Sequence, residues 1–203
     1  MHDPIPRFGD RRRMRIGLLG GSFNPAHEGH RHIARLALRR LRLDQVWLMV
    51  SPGNPLKPSA GMAPLAERMA GARRLADGRR IVATSVEASF GTRYSVDTLQ
   101  VLRRRFPAVR FVWVMGADIL DQLPHWRRWA DIVAGISFAV WPRPTYNHRA
   151  LACLVAHRLR TARRPEREAA LLPGNAPGLV FCNALQTSIS ATALRASMEG
   201  SGS

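Results

Sequence analysis

The chain has 203 residues, 46% of them hydrophobic, and carries 31 Lys and Arg against 14 Asp and Glu, for a formal net charge of +17 and a pI near 11.8. That length suits one well-buried α/β domain and is short for two. There is no run of about 18 apolar residues to cross a membrane, and Met1 to Met14 lacks the apolar centre of a signal peptide, so the expected location is the cytoplasm with no membrane partner.

In chain order, residues 1–13 read as a disordered basic tail and residues 14–203 as a single domain. Apolar runs at 15–19, 46–50, 81–84, 110–115, 137–141 and 179–181 read as strands. Between them lie helical patterns. Ile33, Leu36, Ala37 and Leu41 form one apolar stripe, Leu99, Leu102 and Phe106 another, and both stripes are core. Residues 147–164 read as a further helix broken by Pro165, and 173–178 as a turn-rich link to the last strand. Short strands alternating with helices imply a doubly wound parallel sheet, whose ligands bind at the carboxyl ends of the strands. Cys153 and Cys182 are far apart and outside any CxxC, so they frame neither a disulfide scaffold nor a zinc ribbon.

The richest segment is Gly20 to His30, GGSFNPAHEGH, which leads from the first strand into the helix expected at 30–41. A strand-to-helix turn offers unpaired N–H groups and a helix dipole to anions. Gly20 and Gly21 let a ligand approach the backbone, and His27 and His30, three residues apart, can donate to phosphate oxygens from one side of the first turn. Zinc is the other sharp reading of the two histidines, but no further Cys, His or acidic residues are spaced to complete four-coordination, so no protein-held metal is expected. Two other phosphate motifs fail. Lys57 follows Leu56 and precedes Pro58, which is no Walker loop, and adjacent glycines followed by SFNP do not match GxGxxG.

Near the C-terminus, SISATALR places Ser190 as a good N-cap, Thr192 in the first turn and Arg195 five residues after the cap, which together could hold one anion or simply begin an ordinary capped helix. After the fourth strand, MGADILDQLPHWRRW offers Gly116 for close approach, Asp118 for ribose hydroxyls or a helix cap, and Trp126 for stacking on a flat ring or for packing. Arg143, in WPRP after the fifth strand, could touch phosphate but reads better as structural.

These motifs carry a resemblance. GGSFNPAHEGH resembles the signature of the HxGH nucleotidyltransferases, most closely the bacterial nicotinate-mononucleotide adenylyltransferases, with Ser22 and Asn24 in place of the commoner Thr and Asp. SISATALR is similar to the superfamily's ISSTxIR motif, with Ala191 and Leu194 as departures, and GADIL with Trp126 is similar to the family's GADxL and downstream Trp. The resemblance implies a Rossmann-like nucleotidyltransferase fold and transfer of the adenylyl group of ATP to nicotinate mononucleotide, with Mg2+ arriving on ATP. It implies His27 and His30 as catalytic residues and Gly20, Gly21, Ser22, Phe23, Gly116, Asp118, Ile189, Ser190, Thr192 and Arg195 as the ATP site. SPGNPLKP and RYSVDTL resemble the family's Pro-rich loop and its SYTxDTL, which implies Lys57, Tyr94 and Ser95, with Trp126, at the mononucleotide. The alternatives are another acceptor, nicotinamide mononucleotide or phosphopantetheine, or a basic nucleic-acid-binding protein. Lys57 is the only lysine and the arginines are spread over nearly every expected helix, with no finger or RNP-like strand, so no nucleic-acid partner is expected.

Overall fold

The computed structural model describes residues 3–53, 61–143, 147–174 and 176–183, apart from the side chains of Asn147 and His148. Its strands are β1 (Met14–Gly21), β2 (Gln45–Val50), β3 (Ile81–Thr84), β4 (Val109–Gly116), β5 (Ser137–Trp141), β6 (Arg163–Arg164) and β7 (Leu179–Phe181). They form one parallel sheet in the order β3-β2-β1-β4-β5-β7-β6. All six strands expected from the apolar runs are present. β1 extends further than its apolar run, because Gly20 and Gly21 stay in the ladder opposite Met49 and Val50. The strand order reverses between β1 and β4, and this switch point leaves a crevice at their carboxyl ends.

The helices α1 (Glu28–Arg40), α2 (Leu65–Leu75), α3 (Val86–Phe90), α4 (Ser95–Arg105), α5 (Ala117–Gln122) and α6 (Trp129–Gly135) cover the sheet. Because successive side chains alternate across a strand, each strand feeds two cores. Ile16, Leu18, Trp47, Met49, Trp113, Met115, Phe138 and Val140 pack with Leu99, Leu102, Phe106, Leu120 and Ile132 on one face. Leu19, Val46, Leu48, Val50, Val112, Val114, Ala139 and Trp141 pack with Leu36, Ala37, Leu41, Met69 and Ala72 on the other. Both apolar stripes read from the sequence are therefore core.

Two expectations are corrected. The helix expected over 147–164 is broken into α7 (Asn147–Ala152), α8 (Leu154–Arg158), a 3-10 turn at Arg160–Ala162 and the short strand β6. The break falls at Cys153, whose backbone is extended (φ −70°, ψ 161°) and whose Sγ accepts from the N–H of Ala156 at 3.5 Å, capping α8. The N-terminal residues also differ from a free tail. Asp3 accepts from Thr84 Oγ1 at 2.7 Å and from the N–H of Ser85 at 2.7 Å, where β3 ends. Ile5 is buried in the first core, and the N–H of Asp10 donates to the Arg105 carbonyl. Gly9, at φ +92°, lies so close to that carbonyl that any Cβ would collide with it.

Cys153 and Cys182 are free, buried thiols, and burial pushes the Cys182 thiol up to about 12. At the C-terminal end of α1, Arg40 bonds both Glu166 and the carbonyl of Asn183, while the Asn183 amide donates to Glu166 at 2.9 Å. This cluster fixes where the chain leaves β7.

Candidate active site

The turn between β1 and α1 sits at the switch point. His27 is the N-cap of α1, with extended backbone (φ −145°, ψ 164°), and His30 lies in the first helical turn, so the helix begins two residues before the position expected. Phe23, buried at 2% exposure, takes a left-handed φ of +51°. Such a conformation in a bulky residue is costly and persists only where its surroundings enforce it. Here the ring is held against His30, with centroids 4.6 Å apart, and His30 in turn lies 3.9 Å from His27. Asn24 fastens the turn outward, donating to the Gly61 carbonyl at 3.0 Å and accepting from the N–H of Ala63 at 3.2 Å.

Both histidines are neutral at pH 7. Burial lowers His27 to about 4, with the Arg143 charge adding to the effect. Burial lowers His30 to about 3, with His27 and Arg143 adding, against a small opposing effect of its backbone bond to His27. A neutral imidazole has one donor and one acceptor. The backbone N–H of His27 donates to Nδ1 of His30 at 3.3 Å, which makes Nδ1 the acceptor and puts the ring proton on Nε2. His30 therefore has a donor to offer to an oxygen. Nδ1 of His27 is buried without a hydrogen-bond partner among the described residues.

Across the crevice, α5 starts at Gly116, which is its N-cap; Asp118 is therefore not the cap. Its carboxylate faces Arg143 at 3.6 Å. A Cβ on Gly116 would collide with Asp118 Oδ1 and come within 2.9 Å of Arg143 Nε, so only glycine leaves that pair in place. Further along, Trp126 meets Trp113 edge-on at 5.6 Å, and the guanidinium of Arg127 lies 4.7 Å from the ring centroid of Tyr94, the N-cap of α4, whose first residue is Ser95. The structure thus joins RYSVDTL to the Trp126 segment. No group of three His, Cys, Asp or Glu converges on a metal position among the described residues, and none of the described helices is long and apolar enough to cross a membrane.

Comparison with known proteins gives the family. A family model described as cytidylyltransferase-like matches residues 18–197. A relative from Gluconobacter oxydans (strain 621H), named "probable nicotinate-nucleotide adenylyltransferase", is 60% identical over 187 residues, covering 91% of this chain and 95% of its own. The chain belongs to the nicotinate-nucleotide adenylyltransferase family. A member of the same name from Parvibaculum lavamentivorans is 52% identical over 90% of this chain and 91% of its own. Among solved structures, "Plasmodium falciparum nicotinic acid mononucleotide adenylyltransferase complexed with NaAD" matches with a TM-score of 0.68 at 15% identity, over 90% of this chain and 83% of that one, and so shares the fold.

In this member of the adenylyltransferase family, the structure gathers Gly20, Gly21, Ser22, Phe23, His27 and His30 on one side of the switch point and Gly116 and Asp118 on the other. Tyr94 and Ser95, at the start of α4, lie beside Arg127, the residue that follows Trp126. Lys57, Ile189, Ser190, Thr192 and Arg195 lie outside the described residues. Sequence reasoning missed the pairing of Arg143 with Asp118, the stacking of Arg127 on Tyr94, and Arg68. The last had a signal. Arg68 stands on the same helical stripe as Leu65, Met69, Ala72 and Leu75, where a charged residue is out of place unless it is bonded.

Proposed function

We propose that this protein transfers the adenylyl group of ATP to nicotinate mononucleotide, forming nicotinate adenine dinucleotide and pyrophosphate in the cytoplasm. The observation that carries the mechanism is the neutral histidine pair at the turn, with the His30 proton directed to Nε2. The phosphate oxygen of the mononucleotide is already anionic and attacks the α-phosphorus in line, so the reaction asks the protein for position and charge stabilisation, not for a nucleophile. His30, beside His27, donates to the α-phosphate, and the Asp118 carboxylate, turned by Arg143, is available to ribose hydroxyls. Ser190, Thr192 and Arg195, with Ile189, would hold the phosphates that depart. Magnesium comes bound to the triphosphate of ATP.

A cavity of about 640 Å3, lined by Ala117, Trp141, Arg160, Arg163 and Phe181, adjoins the ends of β5 and β7 and falls within the ~300–1,000 Å3 usual for small-molecule sites. On the acceptor side, Trp126, Tyr94 and Ser95 are assigned to the pyridine ring and Lys57 to the mononucleotide phosphate. Pyrophosphate release from ATP, measured with nicotinate mononucleotide, nicotinamide mononucleotide and phosphopantetheine offered separately, tests the assignment. Turnover is expected with the first, and a preference for either of the others overturns the acceptor while leaving adenylyl transfer intact.

A further inference from the structure

Arg68 lies in α2 and is only 3% exposed. Its guanidinium is spread over four backbone carbonyls. Nε donates to Ala63 at 2.8 Å, Nη1 to Ser22 at 2.8 Å and to Ser51 at 2.6 Å, and Nη2 to Pro52 at 3.2 Å. No carboxylate lies within ion-pair distance of it among the described residues. Burial disfavours its charge, yet a guanidinium stays protonated in proteins. A buried, unpaired cation is expensive and calls for an explanation.

The four carbonyls supply one. Ser22 belongs to the turn after β1, Ser51 and Pro52 follow β2, and Ala63 precedes α2. One planar fork therefore ties the turn after β1 to both ends of the connection between β2 and α2, at the carboxyl ends of two neighbouring central strands. The N–H of Ser51 also donates to the Gly21 carbonyl at 2.9 Å, so the turn is held from both directions. A carbonyl dipole pointing toward a phosphate repels it, whereas an N–H attracts it. By drawing the Ser22, Ser51 and Pro52 oxygens onto itself, Arg68 turns the negative ends of these dipoles away from the crevice. It also leaves one uncompensated positive charge behind the turn, in a medium where charge is poorly screened.

We propose that Arg68 is the positioning residue of the phosphate-binding turn: it fixes Ser22, and through it Phe23 and the two histidines, in the orientation that receives ATP. It acts without touching the nucleotide. This inference rests on the adenylyl-transfer reading of the site.

The test is chemical rescue. Arg68→Ala and Arg68→Lys are assayed for kcat and KM toward ATP, with folding followed by near-ultraviolet circular dichroism and thermal melting. Arg68→Ala is expected to lose about a hundredfold in kcat/KM, the scale on which a misplaced site costs an enzyme, with much of the loss in KM for ATP. Millimolar guanidinium chloride, but not urea at the same concentration, is expected to restore part of it. Arg68→Lys keeps the charge and loses the fork, and is expected to fall between the two. A folded Arg68→Ala protein with wild-type KM and kcat overturns the proposal, as does a variant that loses thermal stability while its folded fraction turns over normally. If Arg68→Ala does not fold, Arg68→Lys decides by the same kinetic criterion. Wild-type turnover measured alongside separates failure of this inference from failure of the functional reading. Should the wild type show none, ATP affinity by calorimetry in wild type and variant still decides whether Arg68 positions the turn.

Discussion

Acidification should unfold this protein through the histidines of its turn. Burial holds His27 at about 4 against an ordinary 6.5. A histidine lowered in this way contributes stability that is complete above pH 6.5 and is lost as the pH falls through about 4, because the unfolded chain takes up the proton first. At ~1.4 kcal/mol per pH unit, His27 alone accounts for about 3 kcal/mol over that window. That is a large part of the ~5–15 kcal/mol that holds a typical domain together. The assay is urea unfolding of wild type and His27→Asn at steps from neutral pH down to about 4. Asparagine keeps an N-cap but does not titrate. The wild type should lose about 3 kcal/mol more than the variant on the way down. Parallel curves would refute the argument, since they would mean that the folded state accommodates a charged His27 as well as water does.

His30→Ala should lower turnover by on the order of a hundredfold or more in a protein that still folds, read by pyrophosphate release and melting; an active, folded variant sinks its role as donor. Gly116→Ala should separate the Asp118–Arg143 pair and raise KM for ATP, and unchanged kinetics would show that the pair has no part in ATP binding. Glu87 is raised by burial from 4.5 to about 7, with a hydrogen bond from Ser51 opposing, so its contribution is intact below pH 4.5 and lost as the pH rises through 7. Glu87→Gln should therefore gain about 3 kcal/mol on wild type above pH 7 and nothing below 4.5, and urea unfolding at the two extremes checks both limbs. Trp126→Ala should raise KM for the mononucleotide with little change in KM for ATP; equal rises in both would mean that the ring serves packing against Trp113.

What was legible in the chain divides by range. Strands buried on both faces appear as near-continuous apolar runs, and 46–50 or 137–141 need nothing else to be recognised. The turn with His27 and His30 is legible because its chemistry is contained in eleven consecutive residues. β6 was not legible, since two arginines carry no strand signature and pair only because β7 lies beside them. The break at Cys153 was hidden for a similar reason: a thiol serving as a cap looks, in sequence, like one more apolar residue of the helix. The docking of Asp3 on Ser85 and the grip of Arg68 on Ser22 and Ser51 depend on backbone groups, and no residue type announces where a carbonyl or an N–H will point.

The arginines of β6 have a further consequence. An open sheet ends in strands whose outer N–H and C=O groups can recruit another chain, and short, strongly charged edges discourage this. Here one margin is the pair Arg163–Arg164, and the other, the four-residue β3, is preceded by Arg79 and Arg80. A second copy of this chain that tried to add its own β6 or β3 at either border would have to bring positive charge against positive charge. If part of the +17 guards these edges against self-association, neutralising those four arginines should cost solubility before it costs catalysis.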